Sequence, residues 1–323
     1  MSSAALKRPP ARFAKGHVRR IVPTCLTLGA LVVVLLVCGA LQPRIWSQAG
    51  LTLILSPIVA LVIASMAQMV MMSVGDIDLG IGYFVGMITT VTATLLRENP
   101  VVGVCLLAGA VVGYALLGAL VQTRSVPSLI VTLGASFIWL GLGLFALPIP
   151  GGEIPDWLAA YAMWSPPLAV PSPLIVMLAI TAVTWFVLQR TRLGVSFRML
   201  GSNPAALVRS GRSPLLTRMA AYATVGILGV LAGTALAAEI GGGDVNSVPG
   251  YTLTTIAAVI LGGGMFTGGR AVPWGALFGA VALGLLTVLL TLLNLSSNLQ
   301  PAVQGLIVIA VLAGRLFVER PAR

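Results

Sequence analysis

Ten apolar runs separated by short polar connections leave this chain few ways to fold. They lie near residues 21–41, 51–73, 79–96, 101–120, 129–147, 172–189, 219–239, 252–264, 272–293 and 300–314. As helices, runs of about 17–25 residues match the thickness of a bilayer core, where a span survives only if its backbone polar groups are paired internally. With 58% hydrophobic and 8% charged residues among 323, the pattern predicts an all-α polytopic membrane protein with about ten transmembrane helices and excludes a soluble enzyme. The eighth run is short for a crossing and is expected to be tilted, half-length or continued into the glycines that follow it. The expected organisation is a basic tail over 1–20, one membrane domain over 21–316 and a short tail over 317–323. The first run is too long for a signal-peptide core and is read as an uncleaved anchor.

The net charge of +11 could suggest a nucleic-acid partner, but its distribution is a topology signal. With the N-terminus placed in the cytoplasm, Lys7, Arg8, Arg12, Lys15, Arg19, Arg20, Arg124, Arg190, Arg192, Arg198, Arg209, Arg212, Arg218, Arg270, Arg315, Arg320 and Arg323 all fall inside, and only Arg44 and Arg97 fall outside. The positive-inside rule therefore predicts both termini cytoplasmic, with no nucleic-acid partner and the lipid bilayer as surroundings. The expected compartment is the bacterial plasma (inner) membrane.

One segment interrupts the apolar pattern. Gly75, Asp76, Asp78, Gly80 and Gly82 lie within nine residues between two runs. An Asp near the centre of a membrane helix costs about 2.5–3.5 kcal/mol on the insertion scale. Residues two apart do not share a helix face, so one unbroken helix would aim one carboxylate at lipid. A break resolves this: Gly75 can end one helix, and Asp76 or Asp78 can cap the next. Asp78 is expected to line or brace a pathway as a helix cap; direct solute binding is the alternative. A second glycine-rich break falls at 262–269, a faint internal echo of the kind seen in transporter folds. There Gly262, Gly263, Gly264, Gly268 and Gly269 are read as close-packing residues, with ligand contact as the alternative.

The chain offers no nucleotide site of its own. A Walker A loop needs a Lys followed by Ser or Thr, and the only lysines are Lys7 and Lys15. Gly263 and Gly268 have the right spacing but are followed by Gly269 and Arg270. His17 is the single histidine, and Cys25, Cys38 and Cys105 form no CxxC pair, so no metal site, no catalytic residues and no cofactor held by this chain are expected. The loop over 190–218 is more informative. Asn203 is a good N-cap, Pro204 suits the first helical position, Ala205 and Ala206 favour continuation, and Gly211 can stop the helix. A short helix in the longest cytoplasmic loop is placed to dock a soluble partner; a purely topological or lipid-contacting role for its arginines is the alternative. Outside, seven prolines between Pro148 and Pro173 favour turning backbone. Trp157, Tyr161 and Trp164 are spaced as one face of a short headgroup-layer helix or as an aromatic sugar platform. The polar segment over 241–250, with Asp244, Asn246 and Ser247, reads as a flexible pathway mouth contacting a binding protein, or as an ordinary glycine turn.

Three of these segments carry a resemblance. Gly75-Asp76-Ile77-Asp78-Leu79-Gly80-Ile81-Gly82 resembles the Gly-Gly-Ile-Asp-Leu-Ser-Val-Gly signature of the ribose-type sugar permeases of ABC importers, the branch that takes ribose, xylose, arabinose and galactosides. Asp76 stands where that signature has Gly, and Gly80 where it has Ser. Thr191-Arg192-Leu193-Gly194, Leu200 through Ala206 and Ser210-Gly211 are similar to the family's coupling segment, and Ile256 through Gly263 with Gly268-Gly269 to its Ile-Ala-Ala-Val-Val-Leu-Gly-Gly run. The resemblance spans roughly residues 50–315 in matching order. It implies a permease subunit that works with a second permease chain, a cytoplasmic P-loop ATPase that binds ATP and Mg, and a periplasmic or membrane-tethered binding protein that delivers the solute. It also implies that Gly201, Ser202, Asn203, Pro204, Ala205, Ala206, Ser210 and Gly211 form the ATPase-coupling surface. Other readings are an ion-coupled secondary transporter using Asp76, Asp78 or Glu239, an ABC permease for branched-chain amino acids or nucleosides, and a structural membrane scaffold.

Overall fold

The computed structural model describes residues 12–164, 166, 170–248, 250–296, 299, 300, 302–306 and 309. Residues 1–11, the tail over 317–323, Arg315 and most of the tenth apolar run lie outside the described residues. What is described is helical, with no strand among the described residues beyond an isolated bridge between Gly151 and Gly243. The helices are α1 (Arg12–Leu41), α2 (Gln48–Ser73), α3 (Ile81–Ala93), α4 (Leu95–Glu98), α5 (Pro100–Arg124), α6 (Ser128–Ala146), α7 (Asp156–Ala162), α8 (Ser172–Arg190), α9 (Arg192–Ser202), α10 (Pro204–Arg209), α11 (Pro214–Ile240), α12 (Tyr251–Leu261) and α13 (Pro273–Leu292).

Seven of them are long and apolar enough to cross a membrane: α1 from Thr24, α2, α5, α6, α8, α11 and α13. Two of the ten expected spans are shorter. The third becomes α3, of 13 residues, about 20 Å at helical rise, because the 74–80 break consumes its start and Thr94 leaves helical geometry at its end. The eighth becomes α12, of 11 residues. In the other direction, α1 is already helical at Arg12, inside the basic tail, since Lys and Arg are good helix formers even where the apolar pattern has not begun.

α2 is the axis of the fold. From Ile58 to Ser73 every residue is buried, which explains its lack of a polar face: a helix apolar all round is one wrapped by others. It packs against α11, α13, α12 and α8, while α11 also packs on α5 and α3, and α1 covers α13. Small residues set these distances. Gly229 and Gly233 of α11 face Phe84 and Ile88 of α3, and Gly118 of α5 faces Tyr222. The tightest crossing joins α12 to α13, where a methyl added to Gly262 or to Gly275 would overlap the other's carbonyl. Gly275→Ala is therefore expected to cost about 1–3 kcal/mol by overpacking, read by chemical unfolding in mixed micelles. Gly109→Ala, which meets no atom within 4 Å, should cost nothing.

Connections gather at two ends. At one, the 74–80 break, the start of α6, the α9–α10 hairpin and residues 262–272 meet: Gly269 N–H donates to Ser73 O at 2.9 Å, Ile77 N–H to Ser128 Oγ at 3.3 Å, and Gln189 Nε2 to Ala271 O at 3.0 Å. At the other, Gly151 and Gly243 exchange backbone hydrogen bonds, Glu153 N–H donates to Ala93 O at 3.0 Å, and Arg97 pairs with Asp156. Trp157, Tyr161 and, just past the end of α7, Trp164 are all exposed at this second end.

Candidate functional site: a helix break and a docking hairpin

α2 ends as its sequence dictates. Gly75 adopts φ +86°, its N–H donates to Met72 O at 3.1 Å and the Asp76 N–H to Met71 O at 3.2 Å, the paired bonds of a Schellman stop. α12 ends in the same way: Gly263 at φ +98° donates to Ile260 O at 2.9 Å, and Gly264 to Val259 O at 2.8 Å. The internal echo thus has a physical basis in two identical helix stops.

From Ile77 to Gly80 the N–H groups have no helical partners, and an unpaired buried N–H is costly. Hydroxyls from other helices take these groups. Ser128 Oγ accepts from Ile77, Thr132 Oγ1 accepts from Leu79 at 3.0 Å, and Thr252 Oγ1, from α12, accepts from Gly82 at 3.3 Å in the first turn of α3. Gly80 passes so close to α6 that a methyl there would lie 2.9 Å from Thr132 O.

The two carboxylates have separate jobs, and neither is the helix cap expected from sequence. The residue before α3 is Gly80, which caps nothing with a side chain. Asp78 instead closes a local turn: Oδ1 accepts from Gly80 N–H at 2.7 Å and Oδ2 from Tyr114 Oη–H of α5 at 2.9 Å. Gln68 of α2, with its amide oriented to suit its neighbours, pairs with both backbone groups of Asp78 at 3.2 and 3.3 Å. Asp78 is fully buried, and Tyr114 stacks with Trp139 at 5.8 Å while both ring edges meet Phe84. Asp76 faces α11, where Arg218 Nε sits 3.2 Å from Oδ2 as an ion pair rather than an aligned hydrogen bond, and Tyr222 Oη–H donates at 3.3 Å. Sequence reasoning missed Gln68, Tyr114, Arg218 and Tyr222. The polar tips of Gln68, Tyr114 and Tyr222 within apolar runs were a visible signal, but their partner was not.

Glu239 does not join this cluster. It lies at the far end of α11, some 17–21 residues beyond Tyr222 and Arg218, or roughly 25–30 Å along the axis. Its surroundings are Ser56, Tyr161 and Ser172, around a cleft of only about 50 Å³.

The 190–218 loop holds two helices where sequence reasoning placed one. α9 is capped by Thr191, whose hydroxyl accepts from Gly194 N–H, and buries Phe197 and Leu200. Phe197 and Leu200 recur at spacing three, the overlooked sign of an amphipathic helix. α10 begins as its residues prescribe: Asn203 Oδ1 accepts from Ala206 N–H at 3.0 Å, Pro204 takes the first position and Gly211 follows the end at φ +77°. Leu207 anchors the hairpin with no exposure, and Arg212 ties back to Ser196 and to Arg192 O. Ser202, Asn203, Pro204, Ala205, Ser210 and Gly211 are exposed, whereas Gly201 and Ala206 are half-buried.

Within the segment over 241–250, expected to be flexible, residues 242–245 and Val248 are packed. Thr89 Oγ1 accepts from Asp244 N–H at 3.0 Å, Asp244 Oδ1 accepts from Asn246 N–H at 2.8 Å, and Ser247 Oγ–H donates to Asp244 O at 2.7 Å. Val245 and Val248 are buried, with Val245 against Gly86 and Gly143, so apolar anchors that the glycine count concealed hold the turn down. Asn246 and Ser247 remain exposed. Among the described residues no group of three or more His, Cys, Asp or Glu could hold a metal ion.

Buried interrupted helices with hydroxyl-satisfied backbone, in a bundle of apolar spans with a polar hairpin at one end, define a polytopic membrane permease. The chain belongs to the family described as branched-chain amino acid transport system / permease component, whose model matches residues 50–312. Among its relatives, the probable ABC transporter permease protein YphD of Escherichia coli is 31% identical, over 100% of this chain and 99% of the relative. The ribose import permease protein RbsC of Escherichia coli is 30% identical over 88% of this chain and 90% of its own length. The autoinducer 2 import system permease protein LsrD is 25% identical over 90% and 91%. No solved structure gives a significant match.

Proposed function

We propose that this chain is the membrane-spanning permease subunit of an ATP-binding-cassette importer, moving a monosaccharide or similar small polar solute delivered by an extracytoplasmic binding protein. The observation that carries the reading is the α9–α10 hairpin, exposed along Ser202–Ala205 yet footed by Leu207 and pressed against the helix break. Relatives named for ribose and autoinducer 2 import support a small polar solute. Arg124, Arg190, Arg192, Arg198, Arg209, Arg212, Arg218 and Arg270 belong to the hairpin end, and Arg44 and Arg97 to the other, which supports a cytoplasmic hairpin and cytoplasmic termini in a bacterial inner membrane. ATP and Mg are then held by a soluble P-loop ATPase docked on Gly201–Ala206, Ser210 and Gly211, since this chain has no lysine to reach phosphates beyond Lys7 and Lys15. A second permease chain, identical or related, completes the pathway. On the other face the exposed Asn246 and Ser247, on the turn built around Asp244, are offered to the binding protein. An ion-coupled transporter is disfavoured because Asp76, Asp78 and Glu239 form no common site and the two aspartates are already committed to protein partners.

The test is co-purification. The tagged chain, drawn gently from native membranes, is expected to bring a P-loop ATPase with it, and a variant carrying Asn203→Lys and Ala206→Glu is expected to lose that ATPase while still inserting. A chain that emerges without an ATPase, under conditions that keep other membrane complexes whole, would sink the importer reading.

A further inference from the structure

We propose that Gly201 and Arg218 are positioning residues through which the α9–α10 hairpin holds both helix breaks, so that any displacement of the hairpin moves the two breaks together. The proposal rests on the docking reading above only for what drives the hairpin.

Gly201 lies inside α9, where Gly costs about 1 kcal/mol relative to Ala, and its backbone does not adopt the left-handed region. Its small size is needed for contact. A methyl there would overlap Ser73 O, at the end of α2, and would stand 2.6 Å from Gly269 N. A methyl on Gly268 would lie 2.9 Å from the Cα atoms of both Gly75 and Gly201, and one on Gly269 would lie 2.5 Å from Ser202 Cβ. Gly75, Gly268 and Gly269 have φ values of +86°, +75° and +74°, so these are also the residues that make the two turns. The breaks are bonded to each other through Gly269 N–H and Ser73 O. Three chain segments thus touch backbone to backbone, with no side chain between them that could change rotamer and absorb a shift.

A second tie comes from the other flank of the hairpin. Beyond α10 the chain enters α11 through the Ser213 cap, and one turn later Arg218 reaches Asp76 in the first break. The first break is therefore gripped both from within the hairpin, at Gly201, and just after it, at Arg218. The second break is gripped at Gly201 and, through Gln189 at the end of α8, at Ala271.

Hydrogen exchange of the full chain in lipid nanodiscs tests this without any partner present, so it can fail or succeed independently of ATPase co-purification. Gly201→Ala is expected to speed exchange about tenfold or more in peptides covering 71–76 and also in those covering 262–269, the size expected of an overpacked junction, with α5 unchanged. Gly211→Ala serves as the control. It strains the same hairpin at φ +77° but meets no atom within 4 Å, and should act only over residues 203–212. The double variant Asp76→Asn with Arg218→Gln removes the second tie without leaving a lone charge, and is expected to speed exchange over 71–80 and not over 262–269. The proposal is overturned if Gly201→Ala acts only within α9–α10, if Gly211→Ala reproduces its effect on the breaks, or if exchange rises uniformly with α5 included.

Discussion

Arg218→Gln is expected to destabilise the protein by about 3–5 kcal/mol, because removing one member of a buried ion pair leaves the other charge without compensation. The side chains of Asp76 and Arg218 are 8% and 19% exposed, and without Arg218 the Asp76 carboxylate keeps only neutral hydroxyl partners, Tyr222 at 3.3 Å and Ser128. Asp76→Asn should cost less, since Arg218 lies close enough to the hairpin surface for its flexible stem to carry the guanidinium toward water. Combining Asp76→Asn with Arg218→Gln should recover most of the loss, because a neutral pair has no charge to strand. A double-mutant cycle by chemical unfolding in mixed micelles reads the coupling directly. Additive single effects would show that the two side chains do not act as a pair.

Asp78→Ala has the next largest expected effect. It leaves Tyr114 Oη–H and Gly80 N–H without their acceptor in a fully enclosed site. At about 1–3 kcal/mol for each of the two stranded buried groups, a total loss of about 2–6 kcal/mol follows. Asp78→Asn keeps one carbonyl oxygen and should lose about half as much. Tyr114→Phe removes one of the two donors and, in an Asp78→Ala background, should cost nothing further. If Asp78→Ala and Asp78→Asn unfold at the same denaturant concentration, the carboxylate is not the brace of this turn. Transport should fall with the break: a chain carrying Asp78→Ala that inserts normally is expected to lose uptake, and unchanged uptake would remove Asp78 from the working parts of the pathway.

What could be read without the structure follows a rule visible in particular residues. Gly75 and Gly263 announce their helix stops because a Schellman turn needs φ > 0 at a single position, and that need is met by residue type alone. Asn203, Pro204 and Gly211 do the same for α10. The apolar runs gave the long spans for the same kind of reason, since a bilayer imposes length and apolarity on each helix separately. Family membership was legible too, in three short segments whose order along the chain matches.

Other expectations failed where an outcome depended on a neighbour distant in sequence. α3 came out shorter than the apolar run that contains it, because the break before it is sustained by Ser128, Thr132 and Thr252 from other helices. Asp78 was expected to cap a helix and instead accepts from Gly80 and from Tyr114, 36 residues away. Arg218 looked like one more topology arginine until α11 brought it to Asp76, 142 residues earlier in the chain. The turn around Asp244 seemed flexible from its glycines, and is fixed by Val245 seated between Gly86 and Gly143.

By itself, then, the sequence determined the membrane class, the long spans, the helix stops and the kind of protein, because each depends on local residue type, apolar length or charge count. Only the tertiary structure decided that Asp76 pairs with Arg218, that Asp78 braces a turn, and that Gly75, Gly201 and Gly268 meet at one point. Burial of charge and backbone-to-backbone contact are settled by which distant segments arrive together, and no local pattern encodes that.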